Sequence, residues 1–190
     1  MPKKINHGPL ALFPYTIQDG IPSMSNSYIM NLYDIMEAQH MLRWVFFSGG
    51  VANREEWLEF IKSRVNPFFC IVDYSDFSAI GGGPMPYGHI LLTECRVKSA
   101  FIHFCWFRCN DKIEYTNKFF KEILEIMNYD VLFGRIPVTN LKINKFSAAV
   151  PGVTKICDIP LAAWDNHNQK SVDASLFYFL KGECDEKNNA

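Results

Sequence analysis

Three apolar, strand-like runs follow one another with no helix pattern between them: Pro67 to Asp73, Tyr87 to Cys95 and Ala100 to Arg108. The first two are separated by a stretch that includes SAIGGGPMPYG, whose density of Gly and Pro marks a hairpin loop. It lacks the Lys-Ser/Thr of a phosphate-binding P-loop and no good helix follows it. After the third run the pattern changes to helix, strand, helix, strand, strand. A trio of strands followed by alternating units implies an α/β chain with a mixed sheet and helices on its faces.

The remaining elements are read from periodicity. Pro9 to Ile17 holds a short first strand, weakened by Pro14. Ser27 to Phe47 reads as a helix, because Ile29, Leu32, Tyr33, Met36, His40, Trp44 and Phe47 recur at three and four residues, with Gly49 and Gly50 as its stop. Asn53 caps a second helix with Glu56 as reciprocal partner, and Trp57, Phe60 and Ile61 form its apolar face. Asp111 and Glu114 make the same pattern for a third, with Ile113, Phe120, Leu124 and Met127 inward. Val131 to Ile136 is a strand and Leu141 to Ala149 a short helix. Val153 to Asp158 and Ala174 to Leu180 are strands separated by LAAWDNHNQKSVD. The order is β-α-α-β-β-β-α-β-α-β-β.

Composition narrows the function classes. The chain has 190 residues, of which 48% are hydrophobic and 15% aromatic, enough for a core without staples. We expect one domain over residues 1–190, with a polar tail from about 184. A net charge of -1 leaves no electrostatic footprint for nucleic acid. No apolar run reaches the roughly 18 residues of a membrane span, and the start has no apolar signal region. Six cysteines are scattered without a CxxC pair, and no histidine sits at zinc-like spacing. The expectation is buried free thiols, no metal, no membrane partner and a cytoplasmic protein.

Three stretches carry a resemblance. YGHILL (Tyr87 to Leu92) is similar to the third strand of the GNAT superfamily of acyl-coenzyme A N-acyltransferases. AFIHFCWFR with the helix after it resembles that family's fourth strand and cofactor helix. IPVTNLKINKFSAAVPGV resembles its fifth strand, terminal Asn, fourth helix and following Gly-hydrophobic pair. Some phage-encoded members have the same look. The element order is also the family's, over most of the chain.

The resemblance implies a GNAT-like fold with splayed fourth and fifth strands. It also implies transfer of an acetyl group from acetyl-coenzyme A to a small-molecule or protein amine. The backbone of Phe104, Cys105, Trp106 and Phe107 would pair with the pantetheine arm like an added strand. Arg108, Lys112 and Asn140 would complete the cofactor site, with pyrophosphate at the amino end of the third helix. A homodimer is compatible with it.

Two positions depart from the family pattern. Its phosphate loop has small residues where this chain has Asp111 and Ile113, and Asp111 reads as a helix cap whose carboxylate occupies N–H groups. A Tyr of the fourth helix, a proton donor in many members, has Phe146 as its nearest equivalent, which cannot donate. These departures leave open a second reading, a binding or assembly module that has lost coenzyme A binding. For the base, His103 suits the role by its ordinary pKa, and also fits a histidine packed under a helix. His103 and Cys105 share one strand face, with Phe104 and Trp106 on the other. Glu94 and His89 are the alternative bases; Glu94, on the face opposite His89, also fits plain solvation. Asn140 reads as helix cap, cofactor contact or both, and Asn144 as a surface residue. The acceptor would enter near Ser48 to Asn53.

Overall fold

The computed structural model describes residues 8–42, 51–73, 84–165 and 170–182. In chain order the elements are β1 (Leu10–Pro14), β2 (Ile17–Gln18), β3 (Ile21–Pro22), α1 (Asn26–Ala38), α2 (Arg54–Lys62), β4 (Phe68–Asp73), β5 (Pro86–Thr93) and β6 (Ser99–Trp106). They continue as α3 (Lys112–Ile126), β7 (Val131–Pro137), α4 (Leu141–Ala149), β8 (Val153–Asp165) and β9 (Lys170–Leu180). Seven strands form one sheet in the order β1-β4-β5-β6-β7-β9-β8, and β2 with β3 makes a separate ribbon. The β6–β7 pair is parallel. The pairs β1–β4, β4–β5, β7–β9 and β8–β9 are antiparallel. The mixed α/β architecture expected from the sequence is therefore present.

The chain divides into two compact units. The first holds β1 to α2, β4, β5 as far as Leu92, and β6 from His103 onward. Its core joins Ile29, Leu32 and Met36 of α1 to Trp57 and Ile61 of α2 and to Phe68, Cys70 and Val72 of β4. Trp57 is wholly buried; its indole N–H donates to the Ile29 carbonyl at 3.1 Å, and Phe68 meets it edge-on at 5.6 Å. The expected cap of α2 is present. Glu56 N–H donates to Asn53 Oδ1 at 2.9 Å, and the Glu56 carboxylate accepts from Ala52 N–H at 2.8 Å. Gly88 on β5 is required by packing, because a Cβ there would lie 2.3 Å from the Cys105 carbonyl oxygen.

Helix α1 is shorter than its periodicity suggests. The stripe Ile29, Leu32, Tyr33 and Met36 is buried as expected, but the helix ends at Ala38. His40 takes a left-handed conformation (φ 56) and Met41 N–H closes back on the Met36 carbonyl at 2.8 Å. Trp44, Phe47 and the Gly49–Gly50 stop lie outside the described residues, as do most of the Gly-Pro loop and the tail from 184.

The second unit holds the first half of β6, then α3, β7, α4, β8 and β9. Thr116, Phe119, Phe120, Ile123 and Leu124 are the buried residues of α3. That corrects the expected inner face: Ile113 is exposed and Met127 half-buried. Phe120 meets Phe179 of β9 edge-on at 5.4 Å. Helix α4 has the bounds expected for it. The last two strands are far longer than expected and pair from Val153↔Phe179 out to Asp165↔Lys170. Two register shifts, at Lys155/Cys157 and Ile159/Ala163, interrupt the alternation. Leu161 stands at φ 52 in the second, its N–H donating to Asp173 Oδ1 at 3.0 Å.

Cys70, Cys105 and Cys109 are buried free thiols, as expected, whereas Cys95 and Cys157 are exposed. Among the described residues no helix is long and apolar enough to cross a membrane, and no cluster of three or more His, Cys, Asp or Glu is placed to hold a metal ion.

Candidate functional site

Strand alternation puts Phe101, His103 and Cys105 on one face of β6. His103 is half-buried. Cys105 is buried, with its thiol 3.8 Å from the Met41 sulfur. His89 on β5 sits among aromatic rings, with centroids 5.7 Å from Trp57, 5.6 Å from Phe68 and 5.7 Å from Phe107. Burial, with a smaller contribution from His103, pushes its pKa down to about 3. His89 is thus a neutral core histidine closed to solvent, and its Nδ1 is buried with no hydrogen-bond partner. Of the two histidines, His103 is the one that is not fully buried.

The segment after β6 begins with Phe107 and Arg108. Phe107 and Arg108 N–H both donate to the Tyr87 carbonyl, at 2.9 and 3.3 Å, which anchors the strand end. The Arg108 guanidinium lies 4.5 Å over the Tyr87 ring, and its Nη2 is buried with no hydrogen-bond partner. Asp111 occupies the N-cap position of α3, but its side chain makes no cap hydrogen bond. The expected Asp111–Glu114 capping box is therefore not formed: with φ -101 and ψ 45 the residue is not in the extended conformation usual for a capping side chain. Asp111 is exposed, while Lys112 is half-buried and its carbonyl accepts from the Thr116 hydroxyl at 2.6 Å.

At the start of α4, Asn140 is buried and its Oδ1 accepts from Ile143 N–H at 3.3 Å. The cap reading is correct. Asn144 is more than a surface residue. Its Nδ2 donates to the carbonyls of Pro137 and Asn140, both at 3.0 Å, and its Oδ1 is buried without a partner. Phe146 is half-buried on the same helix.

Glu94 follows β5 in a left-handed conformation (φ 49) with its carboxylate half exposed. It forms an ion pair with Arg135 of β7. The Arg135 guanidinium lies 4.5 Å over the Phe101 ring, which in turn packs on Phe133 at 5.6 Å. Arg135 Nε is buried with no hydrogen-bond partner. Sequence reading missed Arg135, although a lone arginine in the apolar strand VLFGRIP was a signal. Strands β6 and β7 pair through Ser99↔Val131, Ala100↔Leu132 and Phe101↔Phe133, so this aromatic pair marks the last of those rungs.

No protein-family model and no curated protein matches the chain. Solved structures do. Spermidine N-acetyltransferase from Vibrio cholerae, in complex with CoA and spermine, superimposes with a TM-score of 0.62 at 16% identity, covering 90% of this chain and 95% of that one. A GNAT-family acetyltransferase from Bacillus anthracis gives 0.65 at 11% identity, covering 93% and 97%. The microcin C7 self-immunity acetyltransferase, in complex with acetyl-CoA and AMP, gives 0.64 at 15% identity, covering 95% and 97%. The chain has the fold of the GNAT acetyltransferases.

Proposed function

We propose that this chain is an N-acyltransferase that moves the acetyl group of acetyl-coenzyme A to the amine of a small molecule or protein. The observation that carries the reading is a buried Arg108 guanidinium nitrogen without a hydrogen-bond partner, followed in the chain by a long helix whose N-cap side chain makes no cap bond. Both suit phosphate oxygens. The fold supports it, since two structural neighbours hold coenzyme A or its acetyl form.

In this reading Arg108, Lys112 and the first N–H groups of α3 bind the pyrophosphate. The backbone of Phe104 to Phe107 orients the pantetheine arm, and Asn140 is a further candidate contact for the cofactor. Acetyl-coenzyme A supplies the activated acetyl group. His103 takes the proton that the amine nitrogen loses as its bond to the acetyl carbon forms. Phe146 donates nothing, so the proton for the departing thiolate comes from solvent or from protonated His103. Glu94, already held by Arg135, ranks below His103 as base.

Asp111 and the exposed Ile113, at positions where the family's loop is small, favour the second reading, a module without coenzyme A. Calorimetry and thermal shift with acetyl-coenzyme A separate the two. At a hundredfold excess over Kd, bound cofactor adds about 2.7 kcal/mol of stability. Millimolar cofactor without a shift in melting temperature would sink the enzyme. Given binding, H103A lowers turnover and leaves cofactor affinity unchanged, whereas R108Q weakens affinity.

A further inference from the structure

We propose that Arg135 selects the acceptor, by taking the carboxylate of an amine substrate that carries one. This inference rests on the acetyltransferase reading and adds a substrate class to it.

The argument starts from one unmet group. A buried N–H without an acceptor is costly in a folded chain and calls for a partner. Arg135 Nε is such a group. Its guanidinium lies 4.5 Å over the Phe101 ring, which restrains it, and Phe101 packs on Phe133. A fixed planar fork with a free donor is the geometry that binds carboxylates with two parallel hydrogen bonds. Glu94 supplies the second clue. Its carboxylate already rests on Nη2 of the same guanidinium, from a half-exposed position. The arginine therefore accepts carboxylates here, and the one it holds can yield.

Access fits as well. Residues 133 and 135 of β7 share a face with their register partners Tyr178 and Leu176 on β9, and all four are only half-buried. On the opposite face Leu132, Phe177 and Phe179 are buried, with Phe120 of α3 against Phe179. The arginine thus stands on the less buried face of β7, its side chain 31% exposed. Along β6, His103 follows Phe101 by two residues and shares its face. A plain surface ion pair would explain Glu94 and leave the Nε donor unexplained.

The test is calorimetry on the full chain, with and without saturating coenzyme A, using L-lysine against cadaverine and L-ornithine against putrescine. Each pair differs by one carboxylate. The amino acids should bind about ten- to a hundredfold tighter than the diamines. R135Q should erase that difference while leaving the diamines unchanged. R135K, which keeps the charge but loses the fork, should erase most of it. E94Q should tighten the amino acids, because the competing carboxylate is gone; a merely structural ion pair would not produce this gain. Circular dichroism melts check that each variant folds, and if R135Q does not, R135K and E94Q decide. Equal binding within each pair, no binding by either member, or equal weakening of both by R135Q overturns the proposal. The transferase reading stands or falls separately, on the thermal shift with acetyl-coenzyme A.

Discussion

An alanine at Gly88 would set its Cβ 2.3 Å from the carbonyl oxygen of Cys105, and 3.3 Å from both the carbonyl carbon and Ile71 Cδ1. The nearest obstacle is backbone, so no rotamer change relieves it. To reach even 3.0 Å the strands must part by about 0.7 Å. One residue away, Phe107 and Arg108 N–H donate to Tyr87 O at 2.9 and 3.3 Å, and these bonds stretch with the strand. Overpacking costs about 1–3 kcal/mol, and weakening one such bond adds about 1 kcal/mol. At about 2–4 °C per kcal/mol for a chain of this size, G88A should melt roughly 5–15 °C below the parent. Gly134 gives the control, because a Cβ there meets nothing within 4 Å. G134A should leave the melting temperature unchanged or raise it by about 1 kcal/mol's worth, through reduced freedom of the unfolded chain. Thermal melts followed by circular dichroism read both. If G88A melts within about 2 °C of the parent, the close approach of β5 and β6 is not what excludes a side chain at this position.

Acid should destabilise the fold through His89. Its folded pKa is depressed to about 3, well below the ordinary histidine value, so below about 6.5 the unfolded chain takes up a proton that the folded chain refuses, and stability falls by roughly 1 kcal/mol per pH unit down to about 3. Urea titrations between pH 7 and 4 should show that slope, and H89L should flatten it; an unchanged slope in H89L would assign the acid sensitivity elsewhere. N140A should cost about 1 kcal/mol through the lost cap while N140D keeps it, read as denaturation midpoints. D111G should tighten acetyl-coenzyme A about two- to fivefold by removing a like charge from the start of α3, and looser binding in the titration would mean that Asp111 assists the cofactor.

Helix α4 was legible to the residue, because Asn140 and the Pro-Gly pair are local signals at both ends. Helix α1 was over-extended because Trp44 and Phe47 continue its spacing, while the left-handed turn at His40 has no signal in a histidine. Helix α3 starts where residue types suggest, without the side-chain cap that they imply. Residue type told where Asp111 would stand, and only the backbone angles told that its carboxylate does no capping. Strands β8 and β9 were truncated because the bulges break the alternation that reveals a strand. Motif order puts His103, Arg108 and Asn140 forward as candidates for the proposed site. It does not reveal the Arg135–Glu94 pair, since its members lie 41 residues apart and meet only through the sheet.

Strand β8 ends the sheet order and runs for 13 residues. A straight ribbon of that length would offer any other molecule a ready template for strand addition and fibre growth. Its two irregularities, with Lys155 beside the first and Pro160 within the second, interrupt the ribbon in the way that blunts strand addition at a sheet edge. The features that hid this strand from its sequence pattern are thus the ones that make it safe to leave uncovered.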